Sequence, residues 1–143
     1  SFKERNIIIA EKENNFFLEK KYINLRNFVT RNYNLKCVQL FSYDVILPYI
    51  LKKKNCTKFN FLYVISSDTV QNKMISELKK EMPSFIFFNQ NYDFLNLRPV
   101  EYRFQKVASF IDENYIVDRE INNWSIYKKK WVKTVIYFLI YKF

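Results

Sequence analysis

The chemistry open to this chain is bounded first by two missing residue types. It has no histidine, which removes the commonest general base, the usual zinc ligand and every Ser–His or Cys–His nucleophile pair. It has no glycine either, so the tight backbone loops that cradle phosphate in nucleotide-binding motifs cannot be built. The acids are scattered. Asp44 and Asp68 stand where helix caps belong, Asp112 and Glu113 on an exposed helix face, and Asp118 and Glu120 at alternate positions of a strand. Caps and solvated faces account for them. A carboxylate pair for glycoside chemistry would have to combine Asp93 with an acid from another segment, and the spacing does not point to one. Metal binding is weaker still, because closely spaced cysteines are absent as well as histidines. The sequence therefore offers no catalytic residue, no metal ligand set and no cofactor motif.

Basic residues are the remaining candidates. Lys52, Lys53, Lys54 and Lys58 form the densest cluster in a chain of formal charge +10, a balance that fits either a solvated lysine surface or an anionic partner such as a membrane surface or nucleic acid. As chemistry the cluster would hold phosphate or lipid headgroups; as architecture it is a helix end whose lysines complement the macrodipole. Phe59, Phe61 and Tyr63 share one strand face after Lys58, the pattern of a single-strand stacking platform. The intervening Leu62 and Val64 make that strand apolar on both faces, which favours core over nucleic acid. Cys37 falls in an apparent strand and Cys56 in a loop. They would pair only in an oxidising compartment, spacing alone does not bring them within bridging distance, and free thiols are the preferred reading. Two Asn-x-Ser/Thr triplets, at Asn55 and Asn123, are what chance supplies in a chain rich in asparagine.

These groups must be positioned by an alternation of helices and strands. Apolar residues at helical spacing mark a first helix over residues 16–33, after Asn14 and Asn15 as caps. A strand follows over 35–41, then a short helix over 45–53 with Pro48 about one turn in. Residues 59–65 read as a strand. Ser66, Ser67 and Asp68 signal a cap with Gln71 at the reciprocal position, opening a helix whose buried face is Val70, Met74, Ile75, Leu78 and Met82 and which Pro83 ends. Residues 84–88 make a strand covered on both sides and residues 89–99 a loop. Phe104, Val107, Ala108, Ile111 and Tyr115 then line one helical face that needs a sheet to cover. A hairpin closes the unit through Asn122 and Asn123, since asparagine tolerates the left-handed backbone of a two-residue turn.

The length suits a single domain with a sizeable core. The alternation predicts an α/β fold: a three-layer sandwich with a small, largely parallel central sheet, helices on both faces and a C-terminal hairpin. Residues 1–9 are a lead-in, 10–130 the domain and 131–143 an amphipathic tail. No secretory leader is visible, and no apolar run reaches the ~20 residues that span a bilayer.

The chain resembles the soluble C-terminal region that follows the last membrane helix of many bacterial polytopic glycosyltransferase-like proteins, the GT-C type related to lipid-linked-sugar transferases and protein mannosyltransferases. The likeness rests on Leu47-Pro48-Tyr49-Ile50-Leu51, the basic turn Lys52 to Lys54 and Thr57-Lys58-Phe59. It continues through Glu81-Met82-Pro83-Ser84-Phe85-Ile86 and is best from Arg103 to Tyr115 and from Trp124 to Lys129. It covers roughly residues 10–130 and departs at Asn122-Asn123, where the family usually has two glycines, and in the tail from Trp131 to Phe143.

The resemblance implies a non-catalytic domain outside the cytoplasmic membrane, on the periplasmic side, preceded by membrane helices and partnered by the transmembrane portion of the same protein. The parent would move sugar from a polyprenyl-phosphate-linked donor to a cell-envelope acceptor, with its catalytic acid and lipid-phosphate site in membrane helices and their loops. Lys52, Lys53, Lys54 and Lys58 would then contact anions or lipid headgroups, and Trp131, Tyr137 and Tyr141 would either rest at the membrane interface or pack with the tail as an extra strand or helix. Long loops and domains translocate largely regardless of charge, so +10 does not oppose this placement. The alternative is a free-standing basic α/β module for nucleic acid or another anionic partner, and a third class is a purely structural interaction domain.

Overall fold

The computed structural model describes residues 18–61, 65–89 and 103–130. Along the chain run α1 (Lys20–Asn32), β1 (Gln39–Phe41), α2 (Ile46–Ile50), α3 (Asp68–Glu81), β2 (Phe85–Asn89), α4 (Gln105–Asn114), β3 (Tyr115–Ile121) and β4 (Trp124–Lys129). The four strands form one sheet in the order β1-β2-β4-β3, so the α/β alternation is present. The expectation of a largely parallel sheet is corrected. Only β1 and β2 pair in parallel, with Gln39 opposite Ile86 and Phe41 opposite Phe88, whereas β4 is antiparallel to both β2 and β3. The cause is the closing hairpin. A two-residue turn at Asn122 and Asn123 can only return the chain antiparallel, and β4 takes the place beside β2. Asn122 adopts the left-handed conformation there, at φ 54°.

Side chains alternate along each strand, and the buried residues form two core clusters. In one, Phe41, Ile86 and Phe88 meet Met74 and Leu78 of α3 and Val107, Phe110 and Ile111 of α4. In the other, Leu40, Phe87, Trp124 and Ile126 meet Leu25 and Val29 of α1 and Leu47 and Ile50 of α2. The face expected of α4 is buried at Phe104, Val107, Ile111 and Tyr115, and Phe110 joins it. Phe110 falls outside a sheet-facing stripe because α4 packs on α3 as well as on the sheet, which widens its apolar arc.

Local chemistry sets the helix ends. The Ser67 hydroxyl accepts from the Val70 N–H at 3.3 Å, which fixes the cap of α3 at Ser67 and not at Asp68. Gln71 is thereby displaced from the reciprocal capping position, and its buried amide oxygen instead accepts from the Lys106 N–H of α4 at 3.2 Å. Met82, left-handed at φ 39°, stops α3, and Pro83 behind it cannot continue the helix.

Two expected strands change. Within residues 35–41 only Gln39–Phe41 is strand, with Val38 in an isolated parallel bridge to Asn55. The strand expected over residues 59–65 is absent at 59–61. Thr57 is responsible: its hydroxyl lies 3.2 Å from the Phe59 N–H and takes the place of a ladder partner. Gln39 completes the substitution, its buried amide donating to the Phe59 carbonyl and accepting from Thr57, both at 2.9 Å. Phe59 is core and Phe61 packs edge-on against Tyr43, so neither is a free stacking platform. The lead-in, the caps at Asn14 and Asn15, Tyr63, the loop after Asn89 and the tail lie outside the described residues.

Candidate functional site

The basic cluster sits on a stapled turn. After α2, the chain reverses through Lys52, left-handed at φ 52°, and its N–H bonds back to the Tyr49 carbonyl at 3.1 Å. The returning strand of chain lies beside Val38, whose N–H donates to the Lys54 carbonyl and whose carbonyl accepts from the Cys56 N–H, each at 2.9 Å. That register brings Cys37 and Cys56 to a Cα separation of 5.0 Å, and their sulfurs are joined. The preference for free thiols is corrected accordingly. The pairing depends on α2 folding back along the edge of β1, a non-local contact that the spacing of the two cysteines does not carry.

The structure divides the four candidate lysines. Lys52, Lys53 and Lys54 are exposed and form no ion pair with a described residue. Lys58 is engaged: its ammonium lies 2.8 Å from Glu77 of α3, and its backbone N–H reaches the same carboxylate at 3.2 Å. The hydrogen bond from Lys58 holds the Glu77 carboxyl below the usual carboxylate range. Beside the free lysines, α2 turns Leu47 and Ile50 inward and leaves Tyr49 72% and Val45 46% exposed.

Strand register adds a second basic group at the same end of the sheet. Phe85, the first residue of β2, faces Lys128, and the Lys129 N–H donates to the Ser84 carbonyl at 2.9 Å. Lys130 places its ammonium on the carbonyls of Asp112 and Glu113, at 2.6 and 3.2 Å, where the α4 dipole is negative. The end at which β1 and β2 begin and β4 finishes therefore carries Lys52 to Lys54 and Lys128 to Lys130.

The opposite end is polar and internally matched. The Tyr22 hydroxyl donates to Asp44 Oδ2 at 2.6 Å, and the other oxygen of Asp44 accepts from the Ile46 N–H at 3.1 Å. Burial first, then the Asp44 carboxylate, pushes the Tyr22 phenol well above its ordinary value. Arg103 donates to the Tyr43 hydroxyl and lies over the rings of Tyr43 and Phe104. Asp68 pairs with Lys106 at 2.9 Å. Away from that end, the Tyr33 ring packs 4.3 Å from that of Phe85, and its hydroxyl donates to Asp118 of β3. These acids bond between elements, where the sequence alone offers only caps and solvated faces for them.

A pocket of about 220 Å³ lies between the sheet and α4, lined by Phe41, Ile86, Phe88, Ile111 and Tyr127, with Asp112 its one acid. Among the described residues no three His, Cys, Asp or Glu side chains are grouped to hold a metal, and no helix is long and apolar enough to cross a membrane. Trp131, Tyr137 and Tyr141 lie outside the described residues. Sequence reasoning missed Tyr49 as a surface residue, although its place on the face opposite Leu47 and Ile50 was the available signal. No family model, curated protein or solved structure matches the chain.

Proposed function

We propose that this chain is a non-catalytic extracytoplasmic C-terminal domain of a membrane glycosyltransferase, one that moves sugar from a polyprenyl-phosphate-linked donor to a cell-envelope acceptor. The observation that carries the reading is the Cys37–Cys56 disulfide, because such bonds persist in oxidising compartments and are rare in a reducing cytosol. The acids Asp44, Asp68 and Asp118 are committed to structural partners, which suits a domain whose parent performs its chemistry elsewhere. The two separate cores favour a three-layer arrangement, with α1 and α2 on one side of the sheet and α3 and α4 on the other.

The test is to score the coding sequence upstream of Ser1 for hydrophobic spans. Several apolar segments of ~20 residues ending shortly before Ser1 are expected. A start codon with no such segment before it would sink the reading. Alkylation of protein taken directly from cells provides an independent check: both cysteines should resist the reagent until a reductant is added.

A further inference from the structure

We infer that the lysine-bearing end of the sheet is a docking surface for an anionic phospholipid bilayer, with Tyr49 seated at headgroup level and Lys52, Lys53 and Lys54 on the phosphates. The inference rests on the reading of this chain as a membrane-adjacent domain and names the partner of its basic loop. Three observations meet there. Residues 45–67 contain four lysines and no acid, and the one of the four that has a carboxylate partner, Lys58, is drawn aside by Glu77. The three others stand free of described acids beside an aromatic side chain that is 72% exposed, although α2 has a buried face at Leu47 and Ile50 that Tyr49 does not join. The disulfide and the Val38 hydrogen bonds hold this turn against β1, so little conformational entropy remains to be lost when it meets a surface.

A tyrosine beside lysines suits the membrane interface, where the ring sits among headgroups and each ammonium reaches a phosphate. Lys128 and Lys129 widen the positive surface across the sheet. The spacing follows from strand geometry. Asn55 bridges Val38, which lies beside Phe85, and Phe85 faces Lys128, so Lys54 stands one residue off the level of Lys128 and three strand steps of ~4.8 Å from it, a breadth of roughly 14 Å that several headgroups cover. A single-strand nucleic-acid site would need a row of stacking aromatics among the lysines, whereas Phe59 is buried and Phe61 packs against Tyr43, which leaves Tyr49 as a single ring beside them among the described residues.

Co-sedimentation of the full chain with phosphatidylcholine vesicles, with and without phosphatidylglycerol, tests this. Binding is expected only to the anionic vesicles and should weaken as salt rises. Each lysine near an anionic surface contributes about fivefold to partitioning, so Lys52→Gln with Lys53→Gln should lower it about twenty-fivefold. Lys20→Gln with Lys73→Gln removes the same charge from exposed sites on α1 and α3 and should lower it far less. Tyr49→Ala should weaken binding and Tyr49→Trp restore it, with unchanged melting temperatures for both. Equal losses from the two lysine pairs, no preference for anionic vesicles, or binding of a single-stranded oligonucleotide that vesicles do not displace would overturn the docking surface. Failure of this surface is separable from failure of the transferase reading: membrane spans encoded upstream with no vesicle preference reject the surface alone, and vesicle binding without such spans rejects the transferase alone.

Discussion

Cys37 and Cys56 are separated by 19 residues, and their bond restricts the unfolded chain around the turn that carries Lys52 to Lys54. Replacing both by serine is expected to lower the unfolding free energy by about 2–4 kcal/mol in urea unfolding, with a steeper slope because the unlinked denatured chain exposes more surface. Tyr115 gives a second prediction at this scale. Its hydroxyl donates to the Pro83 carbonyl at 2.9 Å, and burial pushes the phenol up to about 12. The folded value lies above the unfolded one of 10.0, so the stability tied to the neutral phenol is fully present below about pH 10 and is lost as pH rises towards 12. Tyr22 and Tyr33, also raised by burial, add to the same alkaline loss. Tyr115→Phe should cost about 1 kcal/mol at neutral pH through the lost hydrogen bond. Between pH 10 and 12 the variant should decline less steeply than the parent chain in denaturant titrations.

At the scale of elements, the closing hairpin depends on one residue. Asn122 holds φ 54°, and its side-chain amide donates to the Lys21 carbonyl at 3.2 Å, tying the turn to α1. Valine at that position would meet the left-handed penalty of a β-branched side chain, about 1–2 kcal/mol, and would also lose the bond to α1. Asn122→Val should therefore melt earlier than Asn122→Gly, which keeps the backbone freedom. The same hairpin leaves β3 as an edge strand, where Ile116 and Val117 are exposed. A register shift between Val117 and Arg119, with Asp118 and Arg119 in the strand, interrupts the edge as natural sheets do to discourage pairing with another chain. At the other end of the order, β1 is shielded by the residues that Cys56 staples to it.

Across the whole molecule the two faces of the sheet must be filled together. Phe87 is fully buried on the α1 and α2 side, among Leu40, Trp124 and Ile126. Phe87→Ala should cost about 3–5 kcal/mol, since the surrounding side chains close the cavity only in part. Tyr49→Ala removes a side chain of comparable size from the surface and should stay within about 0.5 kcal/mol. The contrast, read in one set of denaturation curves, separates a residue that holds the fold from one available for a partner. Charge is also distributed at this scale: strand register, and not proximity in the chain, sets Lys128 and Lys129 at the same end as Lys52 to Lys54.

Apolar spacing together with cap and turn residues located the four helices and the hairpin of the described residues, because such signals are fixed residue by residue, and Met74, Leu78, Val107 and Ile111 are buried as that spacing requires. Composition determined the missing chemistry as directly, since a chain without glycine or histidine cannot regain their properties by folding. Three features were decided only in tertiary structure. Thr57 and Gln39 exchange side-chain hydrogen bonds that replace a strand ladder at Phe59, a competition between local and cross-strand partners that the apolar run does not register. The direction of β4 beside β2 follows from which slot the returning hairpin finds, and the sheet is mixed for that reason. The disulfide, and with it the division of the lysines into three that are exposed and one held by Glu77, depends on α2 returning the chain beside Val38 and on α3 presenting Glu77 to Lys58. Contacts of that kind join residues far apart in the chain, and the spacing of residues along it carries no record of them.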